Sequence, residues 1–436
     1  MNGIEYLPVI ILNLVLFAIL MAFYSQSKFD YFPIALIIGT VVVVSMLIIG
    51  IQEGEILGFI NFNTLIFIFA MQVIIYFAIN DRVLEYLAIK LIHITKGNNR
   101  TFFYMICIFT SIMVAFIEDL TLSLILVPLI YRTCRILDIR AGTYMMGMTI
   151  TINIGAILTP VSSLKNLIIA KAFNWGFGEY FINMGLLFLI TLILTIFLID
   201  RLFLKKEEKP TEKNKKILLS MLKPTIVIQD KRYFLITTIV LIGTFVFMII
   251  GFEPALVAII SAAILLLLHY KTSDFSNIKN EIEWKLIIVF AIMFIISNSL
   301  AALGFSELIS TSLISFINNN IYLAVLVTLG LSSLFSAFLA GTPVTIILLP
   351  IFSVIVGEFG LPIGNPIIIA FIGGVNLAGN FLPQGSACDL LTLSLAKKYK
   401  VANLNYKRLL KNGALFATIH LFIILGYTMI YTLILG

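Results

Sequence analysis

The stretch AFIEDLTLSLILVPLI, residues 115–130, recurs without a gap as AFLAGTPVTIILLPIF at residues 337–352, an offset of 222. A second pair of stretches agrees with the first, because NIGAILTPVSSLKNL at residues 153–167 matches NLAGNFLPQGSACDL at residues 376–390, at an offset of 223. Two matched pairs in the same order and at nearly the same spacing indicate a tandem duplication. The fold is therefore expected to contain two copies of one unit.

The composition is that of a membrane protein. Of the 436 residues, 61% are hydrophobic and only 12% are charged, which lies outside the range of soluble domains. Apolar stretches of about 20 residues, the length that a helix needs to cross the hydrocarbon of a bilayer, recur along the chain. We therefore predict an all-α polytopic membrane protein. Its first apolar segment, Tyr6–Ser25, lacks a basic flank and a cleavage site, so we expect a retained helix rather than a signal peptide.

The two copies are predicted to be inverted repeats, each with five membrane crossings, a re-entrant hairpin and a broken helix. Because five is an odd number, the second copy must run through the membrane in the opposite direction to the first. The predicted domains are repeat 1 at residues 1–200, a basic cytoplasmic linker at residues 201–232 and repeat 2 at residues 233–436. The predicted crossings are Tyr6–Ser25, Tyr31–Ile51, Asn61–Asn80, Gly142–Ala172 and Tyr180–Asp200, then Tyr233–Phe252, Pro254–Tyr270, Trp284–Leu303, Asn365–Ala396 and Ala414–Leu435.

The linker and the other charged loops predict the orientation. Residues 201–232 hold ten Lys and Arg against four Asp and Glu, which indicates a cytoplasmic loop facing anionic lipid rather than a nucleic-acid site. With this linker inside, 27 of the 29 basic residues fall in inner loops, and only Lys165 and Lys171 do not. We expect a multi-pass protein of the plasma membrane with both termini outside.

Two hairpins, Thr101–Tyr131 and Ile321–Val356, are expected to enter and leave the membrane on one side. The second arm of the first hairpin, Leu120–Tyr131, is about 18 Å of helix, too short to cross about 30 Å of hydrocarbon. This length favours a tip at mid-membrane depth. The alternative is that Glu118 and Asp119 cap an ordinary two-helix hairpin in water on the outer face.

Each hairpin tip is paired with a predicted break in a membrane helix, at Gly155–Asn166 in the first half and Gly379–Asp389 in the second. Broken helices expose backbone carbonyls and helix ends at mid-membrane depth, where secondary transporters bind ions and substrates. Gln384 is a further polar group of the second break. The predicted substrate-binding and ion-binding residues are Glu118, Asp119, Thr121, Asn153, Thr159, Ser162, Ser163, Lys165, Asn166, Thr342, Thr345, Asn376, Asn380, Ser386 and Asp389.

The charged members of this set have specific expected roles. Ionised acids at depth are expensive and mark a proton or cation pathway. Since adjacent helical residues point about 100° apart, we expect one of Glu118 and Asp119 to face the site and the other to pair with a backbone end or a base. Lys165 has three alternatives: a counter-ion for an acid, including one that replaces a bound cation, a contact for an anionic substrate, or a lysine that snorkels to an interface.

No motif indicates a resident cofactor, a transition-metal site or catalysis. Cys107, Cys134 and Cys388 show no paired spacing, the three histidines lie far apart, and no phosphate-binding glycine motif is present. Na⁺ or H⁺ is expected as the coupling ion, with Na⁺ ligands drawn from the predicted site. Two other classes stay open: a gated channel, and an intramembrane enzyme that uses the adjacent acids, although no nucleophile and base are arranged for it.

At these residues the chain resembles the ion transporter superfamily, in its branch of arsenite permeases and NhaD-type sodium/proton antiporters with a citrate-transporter-like domain. The resemblance implies an elevator-type secondary transporter, commonly a homodimer, with a scaffold and a mobile domain that holds both hairpins and both broken helices. The family hairpin reads roughly A-F-L-D-N-V-T-T-V-L-L-L-V-P and is matched by Ala115, Phe116, Thr121, Leu124, Leu126, Val127 and Pro128, with Glu118 and Asp119 in its acid and amide places. The broken helices are matched by Asn153, Ile154, Gly155, Thr159 and Asn166, and by Gly379, Asn380, Pro383, Gly385, Ser386 and Ala387.

The chain departs from this family pattern at the predicted site. Ala340 and Gly341 stand where the second hairpin of the pattern has Asp-Asn, and residues 162–165, Ser-Ser-Leu-Lys, stand for Gly-Asp-Pro-Pro. The predicted site charges are three acids against Lys165, which favours a cation or a neutral oxyacid such as arsenite. The alternative is a sodium-coupled or proton-coupled transporter of a citrate-like carboxylate, because helix N-termini bind anions without a lysine.

Overall fold

The computed structural model describes residues 6–24, 30–117, 119–221, 224–270 and 275–435, and over these residues it is all-helical, with 22 α-helices, three short 3₁₀ turns and no strand. The predicted fold class is confirmed. The first half contains α1 Leu7–Tyr24, α2 Tyr31–Ile48, α3 Glu53–Gly58, α4 Phe62–Asn80, α5 Val83–Ile94, α6 Asn99–Val114, α7 Asp119–Leu137, α8 Gly142–Gly155, α9 Leu164–Ala172 and α10 Phe177–Leu202. The linker contains α11 Glu212–Met221 and α12 Pro224–Val227. The second half contains α13 Lys231–Ile250, α14 Pro254–Leu268, α15 Phe275–Glu281, α16 Trp284–Ala302, α17 Phe305–Ile317, α18 Ile321–Phe338, α19 Gly341–Phe359, α20 Asn365–Leu377, α21 Ala387–Lys398 and α22 Tyr406–Leu435.

The apolar helices begin at polar caps and expose apolar side chains on their outer faces. Asn61 accepts a hydrogen bond from the backbone N–H of Thr64 at 3.0 Å at the start of α4, and Asn320 caps α18 in the same way. On the outside, Ile182 is 76% exposed and Ile239 is 67% exposed. Large aliphatic side chains exposed along whole helices indicate a surface that faces lipid rather than water.

Ten helices of the described chain are long and apolar enough to cross a membrane: α1, α2, α4, α7, α10, α13, α16, α18, α19 and α22. Seven of them are predicted crossings, and α7, α18 and α19 are hairpin arms. The predicted end of the second hairpin arm was wrong, because α7 does not end at Tyr131 but continues through Arg132 and Arg135 to Leu137. Its 19 residues span about 28 Å, so arm length does not distinguish a re-entrant arm from a crossing. The depth of the hairpin tip stays a prediction.

The apolar interior of the described chain divides into three large cores. The first joins α5–α10 to α18–α22, and so contains both hairpins and both broken helices. The second joins α1, α2 and α16 and also includes Ile168 of α9 and Ile346 of α19. The third joins α4, α13 and α14 and also includes Val161 and Leu167 of the first broken helix. The linker folds back onto the first half, where α11 contacts α7 and α12 contacts α5.

The two halves exchange contacts reciprocally. The second hairpin arm of each half packs on the second piece of the other half's broken helix, since α7 contacts α21 and α19 contacts α9. The same reciprocity holds in the second and third cores, the outer cores, where α2 contacts α16 and α14 contacts α4. Such reciprocity is expected of two related units, whereas their opposite orientation in the membrane and the boundaries at residues 200 and 233 stay predictions.

Four side-chain pairs join segments that the predicted crossing order puts on one side of the membrane. One of them involves Lys171, which is not in a predicted inner loop. It lies at the end of α9 and contacts the turn between α13 and α14. A hairpin adds either no crossing or two, so these pairs agree with the predicted crossing order whether or not the hairpins are re-entrant. The pairs are Asp30 with Lys285 at 2.6 Å, Arg100 with Asp200 at 3.0 Å, Lys171 with Glu253 at 2.5 Å and His269 with Asp81 at 3.0 Å.

Candidate functional site

Two helix breaks face each other inside the first core. Residues 156–163 separate α8 from α9, and residues 378–386, which include two 3₁₀ turns, separate α20 from α21. Each hairpin tip lies beside a break: the Thr159 hydroxyl donates to the carbonyl of Ala115 in the first hairpin, and Gly341 of the second hairpin lies against Val375 of α20. The tips therefore lie beside the interruptions of the broken helices.

Helix α8 of the first half binds the break of the second half. Asn153 donates from Nδ2 to Asn380 Oδ1 at 2.8 Å and accepts from Ser386 Oγ at 3.2 Å. One turn earlier, Thr149 Oγ1 donates to Asp389 Oδ1 at 2.5 Å. All five side chains are buried, so these hydrogen bonds join the halves in a water-poor interior where an unpaired polar group is costly.

Helix α20 of the second half binds the break of the first half in return. Asn376 Nδ2 donates to Asn166 Oδ1 at 2.7 Å, and Lys165 Nζ donates to the carbonyl of Val375 at 3.2 Å. Two consecutive residues after the first break thus contact two consecutive residues near the end of α20. The Lys165 side chain points into the protein, towards the other half. The snorkelling alternative requires it to point to the membrane interface instead.

One hydrogen bond of this exchange is made in only one half. In the duplication Ser163 corresponds to Ser386 and Asn376 corresponds to Asn153, both at the offset of 223. Ser386 donates to Asn153, but Ser163 Oγ and Asn376 Oδ1 are both buried and have no hydrogen-bond partner among the described residues. These two open groups belong to the two segments that Lys165 joins. Other buried polar atoms of the described chain also have no partner, but these two lie on the segments that meet at a charged group, where a ligand or water can bind.

The charged groups of the site come together on three elements. Asp119 is the first residue of α7, is half-buried and accepts from the backbone N–H of Leu120 at 2.9 Å. Its carboxylate attracts the Lys165 ammonium and repels the carboxylate of Asp389, which is 2% exposed. The other predicted hairpin acid, Glu118, lies outside the described residues.

The remaining predicted residues shape the tips and breaks within their own half. Ser162 Oγ donates to the carbonyl of Thr159 at 2.7 Å, and Thr345 Oγ1 donates to the carbonyl of Gly341 at 2.9 Å. Thr121 and Thr342 are half-buried in the first turns of α7 and α19. Gln384 does not join the cluster, because it is exposed and accepts from the hydroxyl of Tyr406 at 2.8 Å.

Two residues of the cluster were missed from the sequence. Thr149 lies four residues before Asn153, on the same face of α8, and this spacing could have identified it. Cys388 shows no paired spacing in the sequence, yet its Sγ lies 3.0 Å from Ser386 Oγ and 3.8 Å from Asp389 Oδ1. Over the described chain, no three His, Cys, Asp or Glu side chains are grouped as a metal site.

Comparison with known proteins gives one family and several relatives. A family described as "Citrate transporter" matches residues 15–374. A 46 kDa membrane protein of Mycobacterium leprae is 23% identical over 78% of this chain and 79% of its own length. An uncharacterized transporter of Synechocystis is 22% identical over 89% of this chain and 90% of its own length. The P protein of Sus scrofa is 20% identical over 79% of this chain and 50% of its own length.

Proposed function

Because the chain belongs to the citrate transporter family, we propose that it moves a small ion or oxyacid by ion-coupled secondary active transport. The proposed driving force is a gradient of protons or sodium ions across the plasma membrane. The substrate binds between the two hairpin tips and the two helix breaks, and no resident cofactor takes part. The observation that carries this site is the buried oxygen of Asn376, which has no partner among the described residues and lies next to the residue that binds Lys165.

The proposed movement is of the elevator type. Support comes from the division of the apolar interior, because both hairpins and both broken helices share one core, whereas most of α1, α2 and α16 and most of α4, α13 and α14 belong to two others. These two cores meet the hairpins and broken helices at only a few buried residues, among them Leu167, Ile168 and Ile346. A unit with its own core can shift as a body against its neighbours while the site inside it keeps its geometry. The outer cores would then form a scaffold that holds two copies together as a homodimer.

The charges favour a cation or a neutral oxyacid such as arsenite. Asp119 and Asp389 outnumber Lys165 among the described site residues, and Lys165 already has a carbonyl partner. The open oxygens of Ser163 and Asn376 can accept hydrogen bonds from the hydroxyl groups of an undissociated oxyacid. A multiply charged anion would meet net repulsion from these side chains.

The second candidate substrate is a citrate-like carboxylate. Its support is the family description together with the Nδ2 group of Asn380, a buried donor without a partner among the described residues. A carboxylate could accept from this amide and from Lys165, although it would have to compete with Val375 for the ammonium.

Purified protein in liposomes tests the proposal. We expect saturable uptake of arsenite, sodium or citrate that runs uphill under an imposed pH or sodium gradient. Asn376→Leu is expected to abolish this uptake, whereas Asn365→Leu should keep it. Asn365 also has a buried Oδ1 without a partner among the described residues, but it lies at the start of the helix, about three turns from Val375, and so controls for position. Ohmic current without saturation would instead indicate a channel, and equal uptake by the two variants would remove Asn376 from the site.

A further inference from the structure

We propose that the Lys165 ammonium permanently fills a cation position at the end of α20, so that this position takes no sodium ion. The inference rests on the proposed function for its part in transport, because it assigns the coupling at the same site. It predicts transport that does not require sodium, with the proton as the remaining coupling ion. Three observations support it: the carbonyl partner, the fit at Gly341 and the placement of the charge.

The partner of Lys165 is the kind of group that binds sodium in transporters. Helix α20 ends at Leu377, so the carbonyl of Val375 is one of the last four, which an α-helix leaves without an intrahelical partner. Carbonyls at the ends of discontinuous membrane helices coordinate Na⁺ in many secondary transporters. Here the Val375 oxygen accepts from Lys165 Nζ at 3.2 Å and from Ser336 Oγ at 2.9 Å.

The second hairpin leaves room for the ammonium. Gly341 is buried at the first position of α19, and a Cβ built there would lie 3.0 Å from Lys165 Nζ and 2.7 Å from the Val375 oxygen. Any larger residue would therefore crowd both partners. In the duplication this glycine corresponds to Asp119, at the offset of 222, so the second tip has no side chain where the first tip has a carboxylate.

The charge of Lys165 lies where helix electrostatics alone would disfavour it. The residue is the second of α9, and a cation in the first turn of a helix is repelled by the positive end of the helix dipole. The Val375 oxygen and the attraction of Asp119 act against this repulsion. A lysine at this position is therefore held by specific partners in the site.

The second half has no counterpart of this lysine. Cys388 occupies the corresponding position in the duplication, at the offset of 223, and it is a neutral thiol next to Asp389. One break thus carries its own cation, and the other does not. The asymmetry explains how a duplicated site can lose one ion-binding position while keeping an acid at the other.

Thermal unfolding of the purified full-length protein tests the proposal, with sodium chloride compared with choline chloride at equal ionic strength. We expect no sodium-specific shift for the wild type. In Lys165→Met the carbonyl is freed for an ion, and sodium should raise the midpoint by about 3 °C relative to choline. The matched control is Lys171→Met on the same helix, whose partner is Glu253 at the outer end, and it should respond like the wild type.

The outcomes separate this inference from the proposed function. A sodium-specific shift in the wild type as large as that in Lys165→Met would overturn the inference, as would a folded Lys165→Met protein that does not respond to sodium. If Lys165→Met does not fold, uptake by the wild type decides: uphill uptake with sodium absent on both sides supports the inference, and an absolute need for sodium contradicts it. Failure of every substrate to be taken up would instead remove the proposed function and leave the sodium comparison valid.

Discussion

The Nδ2 atom of Asn376 lies 2.7 Å from Oδ1 of Asn166, so a helix of the second half directly supports the break of the first half. Asn166 passes this support on, because its own Nδ2 donates to the carbonyl of Ala156 at 2.5 Å and to Ser162 Oγ at 3.0 Å. The two breaks are therefore parts of one hydrogen-bonded unit. A change on one side should be felt on the other.

A double-mutant cycle on this pair should show coupling. Asn166→Ala and Asn376→Ala each leave a buried partner unpaired and should destabilise the protein by about 1–3 kcal/mol. The double variant should lose about 1 kcal/mol less than the sum, since no unpaired partner is left between them. Thermal unfolding in detergent measures the shifts, and purely additive shifts would mean that the bond does not join the breaks.

Gly341→Ala should slow uptake by about 10-fold or more, because the new methyl group displaces the Lys165 ammonium and the Val375 carbonyl from their contact. Gly357→Ala is the matched control on the same helix, since a Cβ there meets no atom within 4 Å. It should leave uptake unchanged and slightly raise stability. Equal uptake by both variants would show that the tip tolerates a side chain.

Asp119→Asn should abolish uphill accumulation, because Asn removes a carboxylate that can bind a cation or a proton beside Lys165. Asp138→Asn is the control at the other end of the same hairpin arm, where the backbone has φ of 56°, a conformation that Asn adopts readily. Glu118→Gln is measured in parallel. If both Glu118→Gln and Asp119→Asn keep gradient-driven uptake, the assignment of the hairpin acids is wrong.

The sequence predicted the membrane class and both interrupted helices because these depend on apolar length, proline, glycine and a recognisable repeat. It did not predict the end of α7. Arg132 and Arg135 end the apolar run, but arginine is a good helix former, so the helix continues past them to Leu137. The sequence also could not predict that Asn376 Oδ1 lacks a hydrogen bond among the described residues. Its counterpart in the duplication, Asn153, does accept such a bond, from Ser386. The partner of Lys165 could not be predicted from residue types, because it is the backbone carbonyl of Val375 and every residue has such a carbonyl.

Glu253 should make stability depend on acidity. Partial burial raises the pKa of this carboxyl, but the hydrogen bond and charge of Lys171 and the backbone N–H of Ala255 lower it more, so its pKa lies below the ordinary value. The stabilisation is therefore present above the pKa of the unfolded chain and is lost as the pH falls through the lower pKa of the folded state. Between about pH 6 and about pH 3.5 the thermal midpoint of the wild type should fall by about 1–2 °C more than that of Glu253→Gln. The difference is small because the side chain is partly exposed.

Lys171→Met should reduce this difference, because it removes the ammonium that lowers the pKa of Glu253. Parallel curves for the wild type and Glu253→Gln would show that the contact between the end of α9 and the start of α14 carries no stability.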